Sequence, residues 1–333
     1  MVHGPAGAGI GAEQMTINGL DISLYQETDT KFIDWPALKA DPLNFRFIWI
    51  KCQEGTYLPT DAGGYNQAIV KRQIAGAQSV GFEAINLYHF YYFQLKFLIN
   101  GVWTWKVLTP ASLAVAFHQT YLASGLKIAH PMTDMEDPLI MQFLPWTTDP
   151  NKALSFARAL NAHMKEYHQR LTDLFSVRPD IYTGKWWLDW FIPQVKYYYP
   201  AETEWIKDYN FILADYDGTF TMPAYLTLEQ VIAWQWTSTP TPPVKGIPTG
   251  RIVPGDALDC DRWMRTDADF DKWSGNATTP PPPTDLVERI KLLEANDKAQ
   301  DARLTKLEAG LGRLVEIGDY VITQIKAFIA WLG

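Results

Sequence analysis

Between Ile17 and Trp273 short apolar runs alternate with longer amphipathic ones. The apolar runs, rich in Ile, Phe, Trp and Tyr, read as strands at Ile17–Ile22, Phe45–Cys52, Glu83–Tyr91, Met132–Met135, Pro179–Tyr182, Asn210–Ala214 and Ile232–Gln235. Segments between them, such as Tyr65–Val80, Pro110–Ser124 and Asn151–Tyr167, read as helices. Strands alternating with helices imply a mostly parallel sheet, and seven or eight of them over about 250 residues favour closure over an open sheet. The expected fold class is α/β, a (β/α) barrel of the TIM type. In such barrels chemistry sits at the C-terminal ends of the strands. The stretch Tyr91–Thr109 reads as an inserted loop rich in Phe and Trp, suited to a lid or a docking surface.

The pattern changes at both ends of this region. Residues 1–16 are rich in Gly and Ala and read as a flexible arm, with neither the basic n-region nor the apolar h-region of a signal peptide. The run GNATTPPPPT at 275–284 is a stiff, extended linker, which bounds a barrel domain at 17–274. Residues 285–333 then follow a heptad register. Ile290, Asp297, Leu304, Leu311, Gly318, Ile325 and Leu332 fall at a, and Leu286, Leu293, Gln300, Leu307, Leu314, Val321 and Phe328 at d. Arg289 can meet Glu294, and Arg303 can meet Glu308, across a parallel pair. Further along, Val315, Ile322 and Ile329 widen the apolar stripe at e, which favours a homo-oligomer of three or more helices over two. The alternatives are one amphipathic helix folded back on the barrel, or a helix on a membrane surface. Seven basic against eight acidic residues there lack the Lys/Arg excess of membrane-surface helices.

Composition narrows the function classes. The chain has 333 residues, 29 Lys+Arg against 37 Asp+Glu and a net charge of −8, a balance that argues against nucleic acid. Hydrophobic residues at 47% and charged residues at 20% describe a globular protein. The 14 Trp and 16 Tyr suit either stacking platforms or a large core. Cys52 and Cys260 are too few for a disulfide framework or a zinc site, so they read as free thiols in strands, and no metal or cofactor is expected. No apolar run reaches the ~18 residues of a spanning helix.

The strongest local candidate for chemistry is PMTDMEDP at 131–138. Strand residues i and i+2 share a face, so Asp134 and Glu136 would both point into the barrel mouth. Two carboxyls held together cannot both ionise comfortably. One that stays protonated can act as a general acid while its ionised neighbour stabilises positive charge, the division of labour in glycoside hydrolysis. Surface strands and metal sites carry such pairs too. Asp21, in GLDIS, ends the first strand, and Asp259, in ALDCDRW, lies near the last. First and last strands of a closed barrel are neighbours, so these two carboxyls could meet at the rim. A turn cap is the alternative for Asp21, and a solvated loop acid for Asp259.

These motifs resemble, in order, those of glycoside hydrolase family 25, the Chalaropsis-type lysozymes. The matching pieces are GLDIS (19–23), FIWIKCQEGTY (47–57), LYHFYYF (87–93), PMTDME (131–136), IYTGKWW (181–187), LADY (213–216), AWQWTS (233–238) and ALDCDRW (257–263). The resemblance implies an irregular β/α barrel that hydrolyses the β-1,4 bond between N-acetylmuramic acid and N-acetylglucosamine. Carried over by motif, Glu136 is the general acid and Asp134 its electrostatic partner, with Asp21 and Asp259 completing an acidic floor. Tyr88, Phe90, Tyr182, Tyr216, Trp234, Gln235 and Trp236 are candidates for the sugar groove, with barrel packing as the alternative for the aromatics. Tyr88 and Phe90 share a strand face, and His89, on the other, reads as structural. The chain departs from the family pattern at Cys52, Asp215 and Asp261, the last where asparagine is frequent.

The expected protein is thus a peptidoglycan muramidase on an oligomeric stalk. Lacking an export signal, it fits a phage product released by a holin, or a virion component beside other virion proteins. The rival expectation is a structural virion protein whose barrel grips glycan without cutting it.

Overall fold

In the computed structural model the described residues are 16–27, 30–55, 67–99, 102–126, 130–136, 150–248 and 258–274. The linker, the heptad segment 285–333 and the arm up to residue 15 lie outside them.

Eight strands close a barrel: β1 (Asn18–Ile22), β2 (Phe45–Glu54), β3 (Ala84–Phe90), β6 (Met132–Asp134), β7 (Asp180–Gly184), β8 (Phe211–Ala214), β9 (Val231–Thr237) and β10 (Asp259–Trp263). Neighbours run parallel from β1 round to β9, while β10 is antiparallel to both β9 and β1. That reversal puts the first residue of β10, Asp259, at the mouth where the other strands end. The closure also registers Asp21 directly opposite Asp259, so first and last strands meet as closure requires.

The outer helices are α1 (Trp35–Lys39), α2 (Gln67–Ser79), α3 (Pro110–Ser124), α4 (Pro150–Phe175), α5 (Lys185–Tyr198) and α6 (Asp267–Trp273). The bounds of α3 agree with the sequence expectation because both ends carry signals. Thr109 caps the N-terminus ahead of Pro110, and Gly125, at φ 76°, closes the C-terminus in the left-handed region. By contrast α4 runs beyond the expected Tyr167, since Leu171, Leu174 and Phe175 continue its buried stripe. Asn151–Tyr167 is therefore the first two-thirds of a longer helix.

Tyr91–Thr109, expected as a loop, holds an antiparallel hairpin of β4 (Gln94–Ile99) and β5 (Val102–Val107). Its root is fixed to α4. His163 bonds the Tyr91 hydroxyl at 2.6 Å and the Leu108 carbonyl at 2.6 Å, and Phe93 packs edge-on against the same imidazole.

The end of the barrel opposite the mouth is plugged by aromatics. Phe47 and Trp49 of β2, Trp263 of β10, and Phe270 and Trp273 of α6 pack at ring-centre distances of 4.9–6.4 Å. Edge-to-face pairs of this kind add to the area they bury. The plug dictates Gly19: a Cβ there would stand 1.9 Å from the Phe47 ring. Cys52 and Cys260 are both free and buried, in β2 and β10. Among the described residues no helix is long and apolar enough to cross a membrane.

Candidate active site

The mouth of the barrel holds a cleft of about 250 Å³. Its walls include Asp21 of β1, Lys51 of β2, Tyr88 and Phe90 of β3, Asp134 and Glu136 at the end of β6, Tyr182 of β7, and Asp259 of β10. All four acids singled out in the sequence therefore reach one cavity. Strand alternation accounts for the selection. Asp134 and Glu136 are two residues apart, as are Tyr88 and Phe90, and each pair shares the inward face. His89, between the tyrosine and the phenylalanine, points outward. There its Nε2 donates to the Gly55 carbonyl at 2.8 Å and its Nδ1 accepts from the Tyr167 hydroxyl. It is not among the described residues that line the cleft.

Asp21 is the best-supported acid. Gln235 Nε2 donates to its Oδ2 at 2.6 Å and the Tyr88 hydroxyl to its Oδ1 at 3.4 Å. The Gln235 amide is itself oriented from behind, because its Oε1 accepts from the Tyr182 hydroxyl at 2.8 Å and from the Tyr216 hydroxyl. The capping role considered for Asp21 falls instead to Ser23. Its side chain accepts from Tyr25 N in a capping box with Gln26, at the start of the 3-10 turn Leu24–Gln26. Asp21 is left to face the cavity.

Trp234 and Trp236 do not join the cleft. Gln235 points inward, so its two neighbours on the strand point out. Trp234 Nε1 donates to the Asp215 carbonyl at 2.8 Å, and the Arg262 guanidinium lies 5.8 Å from the Trp234 ring centre and 5.7 Å from that of Trp236. This is an Arg–Trp stack on the barrel's outer surface. Tyr216 reaches the site through its hydroxyl, which bonds Gln235 and meets the Tyr182 hydroxyl, and its ring is half exposed. Asp215 is buried outside the cleft, accepting from Thr221 N at 3.2 Å.

The crowding of acids sets their electrostatics. Burial pushes the Glu136 carboxyl up to about 7, with Asp259 adding to the effect and the Gly184 backbone N–H opposing it. Burial holds Asp259 up at about 6. Asp21 and Asp134 are raised well above the usual range, by burial first and by neighbouring carboxyls second. Deeper in the barrel Asp261 is fully buried, and neither of its oxygens has a hydrogen-bond partner among the described residues. Its carboxyl is raised too, by burial and then by Asp259. The carboxyls of the cluster therefore keep their protons to higher pH than exposed acids do, which is what a general acid working near neutral pH needs.

Sequence reasoning missed several wall residues: Ser23, Tyr25, Gln26, Lys51, Met132, Ile247 and Pro248. For Lys51 a signal was present. Phe47, Trp49 and Lys51 alternate on the inward face of β2, so a lysine continues a row of core aromatics.

A closed barrel whose mouth gathers proton-holding carboxyls among tyrosines and a phenylalanine is the architecture of a glycoside hydrolase. Comparison with known proteins makes this particular. The model of glycosyl hydrolases family 25 matches residues 20–244, and the chain belongs to that family. Among solved structures, a family GH25 lysozyme from Aspergillus fumigatus is similar in fold, with 18% identity and a TM-score of 0.50 over 78% of this chain and 99% of that one. A muramidase from Acremonium alcalophilum matches at 17% identity and TM-score 0.48, over 78% and 99%. The catalytic domain of an endolysin from a bacteriophage of Listeria monocytogenes matches at 16% and 0.44, over 80% and 100%. No curated protein matches the chain.

Proposed function

We propose that this protein is a muramidase that cleaves the β-1,4 bond between N-acetylmuramic acid and N-acetylglucosamine in peptidoglycan. The observation that carries the reading is the Asp134/Glu136 pair on one inward face at the barrel mouth, in a chain of family 25. Glu136, the outer of the two, gives its proton to the glycosidic oxygen as the bond to the anomeric carbon breaks. Asp134, ionised, stabilises the positive charge that develops on that carbon, and water supplies the hydroxyl of the new reducing end. Asp21, held by Gln235 and Tyr88, and Asp259 form the floor that keeps the pair's proton in place. Tyr88, Phe90 and Tyr182 offer ring faces to the sugars.

The choice of peptidoglycan rests on the family. The A. fumigatus neighbour is called a lysozyme, which agrees with it. The heptads at 285–333 extend the proposal to several catalytic barrels mounted on one oligomeric stalk, as a phage lysin or virion component would carry them.

The test is clearing of a bacterial wall suspension by the full chain beside Glu136→Gln. The expected result is clearing by the first only, with wall binding retained in both. Binding without clearing by either protein would instead make the barrel a glycan-gripping structural element.

A further inference from the structure

Among the described residues with large exposed apolar side chains, Tyr25 is the one that lines the cleft, with half of its surface open. Ile247 and Pro248, both half-buried, line the same cleft, and the mechanism proposed above uses none of the three. Tyr25 follows the end of β1, whereas Ile247 and Pro248 lie on the connection from β9 to β10. These two segments flank β10, which stands four strands from β6 by either route round the barrel, through β9, β8 and β7 or through β1, β2 and β3. The apolar rim therefore stands across the mouth from the wall that carries Asp134 and Glu136. Both segments are braced. Ser23 Oγ accepts from Tyr25 N at 3.1 Å, Gln26 Oε1 accepts from Ser23 N at 2.7 Å, and Gln73 Nε2 on α2 donates to the Ser23 carbonyl at 2.8 Å. Buried Glu27 then accepts from Ile33 N at 3.0 Å and from Arg72 Nε at 3.1 Å. On the other segment the Gly246 carbonyl accepts from Asp34 N, and Asp41 Oδ2 accepts from Lys245 N, both at 2.8 Å. Gly246 has φ 82°, and a Cβ on it would stand 2.3 Å from the Asp34 carbonyl oxygen, so the position requires glycine. A single apolar side chain on a surface needs no explanation. A tyrosine pinned at a cavity edge, with two further apolar side chains held there independently, does.

We propose that Tyr25, with Ile247 and Pro248, forms an outer subsite that binds a sugar of the glycan strand beyond those at the bond being cleaved. This role rests on the muramidase reading of the same site. The cleft of about 250 Å³ is smaller than the roughly 300–1,000 Å³ that encloses a drug-sized ligand, so a polymeric strand must run out over the rim. Depth orders the contacts. Tyr88 and Tyr182, 6% and 7% exposed, sit with the acids, whereas Tyr25 stands at the edge. A pyranose carries its hydroxyls around the ring and its C–H bonds on the faces. An aromatic and aliphatic wall therefore takes a sugar face and leaves the hydroxyls to water. Because both segments are already fixed, binding there costs little ordering of the protein. Such a contact lies away from the reacting atoms and is the same in the ground and transition states, so it lowers KM and leaves the chemical step to the carboxyls.

The test is kcat and KM of the full chain and its variants on long peptidoglycan strands and on the shortest oligomer that the wild type cleaves. Tyr25→Ala should raise KM on long strands by about tenfold, with kcat falling far less than KM rises. The rise should be smaller on the short oligomer, which does not reach the rim. Tyr25→Phe and Tyr25→Trp keep a ring and should bring KM back toward the wild-type value. An unchanged KM on long strands, a fall in kcat at unchanged KM, or an equal loss on both substrates would overturn the proposal. Should Tyr25→Ala fail to fold, Ile247→Ser decides: KM on long strands should rise, and an unmoved KM would overturn it. Hydrolysis retained by Glu136→Gln would defeat the underlying reading of the acids; an inactive Glu136→Gln with an unmoved KM in Tyr25→Ala would defeat the outer subsite alone.

Discussion

His168 offers a stability test that can be worked from the structure. It sits on α4 with no solvent exposure, beside the strand that carries Asp134. Its Nδ1 faces the Met164 carbonyl at 2.8 Å, which can only accept, so that nitrogen carries the hydrogen. Its Nε2 then accepts from the Thr133 hydroxyl at 2.8 Å. This arrangement suits a neutral imidazole, and burial pushes its pKa down to about 4. In the unfolded chain a histidine titrates near 6.5, so the unfolded state binds the extra proton between about 6.5 and 4. Stability is therefore intact above 6.5 and lost as pH falls toward 4, by about 3 kcal/mol for a difference of about 2.5 pKa units. Carboxyls with raised values, such as Asp21 and Asp261, gain stability over the same range, so the wild-type curve alone mixes opposite signs. The difference between wild type and His168→Gln isolates the imidazole. The variant should be less stable at pH 7, and the gap should narrow by about 3 kcal/mol at pH 4, or about 6–12 °C in Tm for a domain this size. Thermal unfolding followed by circular dichroism at half-unit pH steps measures it. A gap that stays constant from pH 7 to 4 would refute the neutral, buried assignment.

Activity should fall on the alkaline side with a midpoint near 7, because Glu136 must hold its proton and burial places its carboxyl at about 7; a rate undiminished at pH 9 would count against it as the acid. Asp261→Asn should raise Tm at pH 8, with the gain fading toward pH 4. A buried acid with a raised pKa costs stability as pH climbs above the unfolded value, and the amide removes that cost. Sedimentation of the full chain should show a trimer or larger, and a chain ending before residue 285 should be monomeric; a monomeric full chain would end the stalk proposal.

Much of the barrel is legible in the sequence because its strands are short apolar runs set off by polar turns, and seven of them lie within two residues of their expected bounds. Exceptions have physical causes. The hairpin β4–β5 has the alternation of a strand pair, with Asn100-Gly101 between Ile99 and Val102, the residues a two-residue hairpin turn prefers. Its unusual Phe and Trp content drew attention to a loop instead. The reversal of β10 leaves no mark in composition, yet it is what brings Asp259 to the mouth. In the site, Asp134 with Glu136 and Tyr88 with Phe90 follow from a period of two. The same period places Trp234 and Trp236 opposite Gln235, a consequence the motif-based grouping overlooked. The period of two also turns Lys51 inward on β2, but the acids it faces come from three other strands, and only closure of the barrel assembles those.

The most direct test of the central claim is the chemistry of the new ends. Purified peptidoglycan is digested with wild type and with Glu136→Gln, and the reducing sugars released are identified. The account predicts N-acetylmuramic acid at the new reducing ends with wild type and no product with the variant. New ends carrying N-acetylglucosamine, or equal release by both proteins, would contradict it.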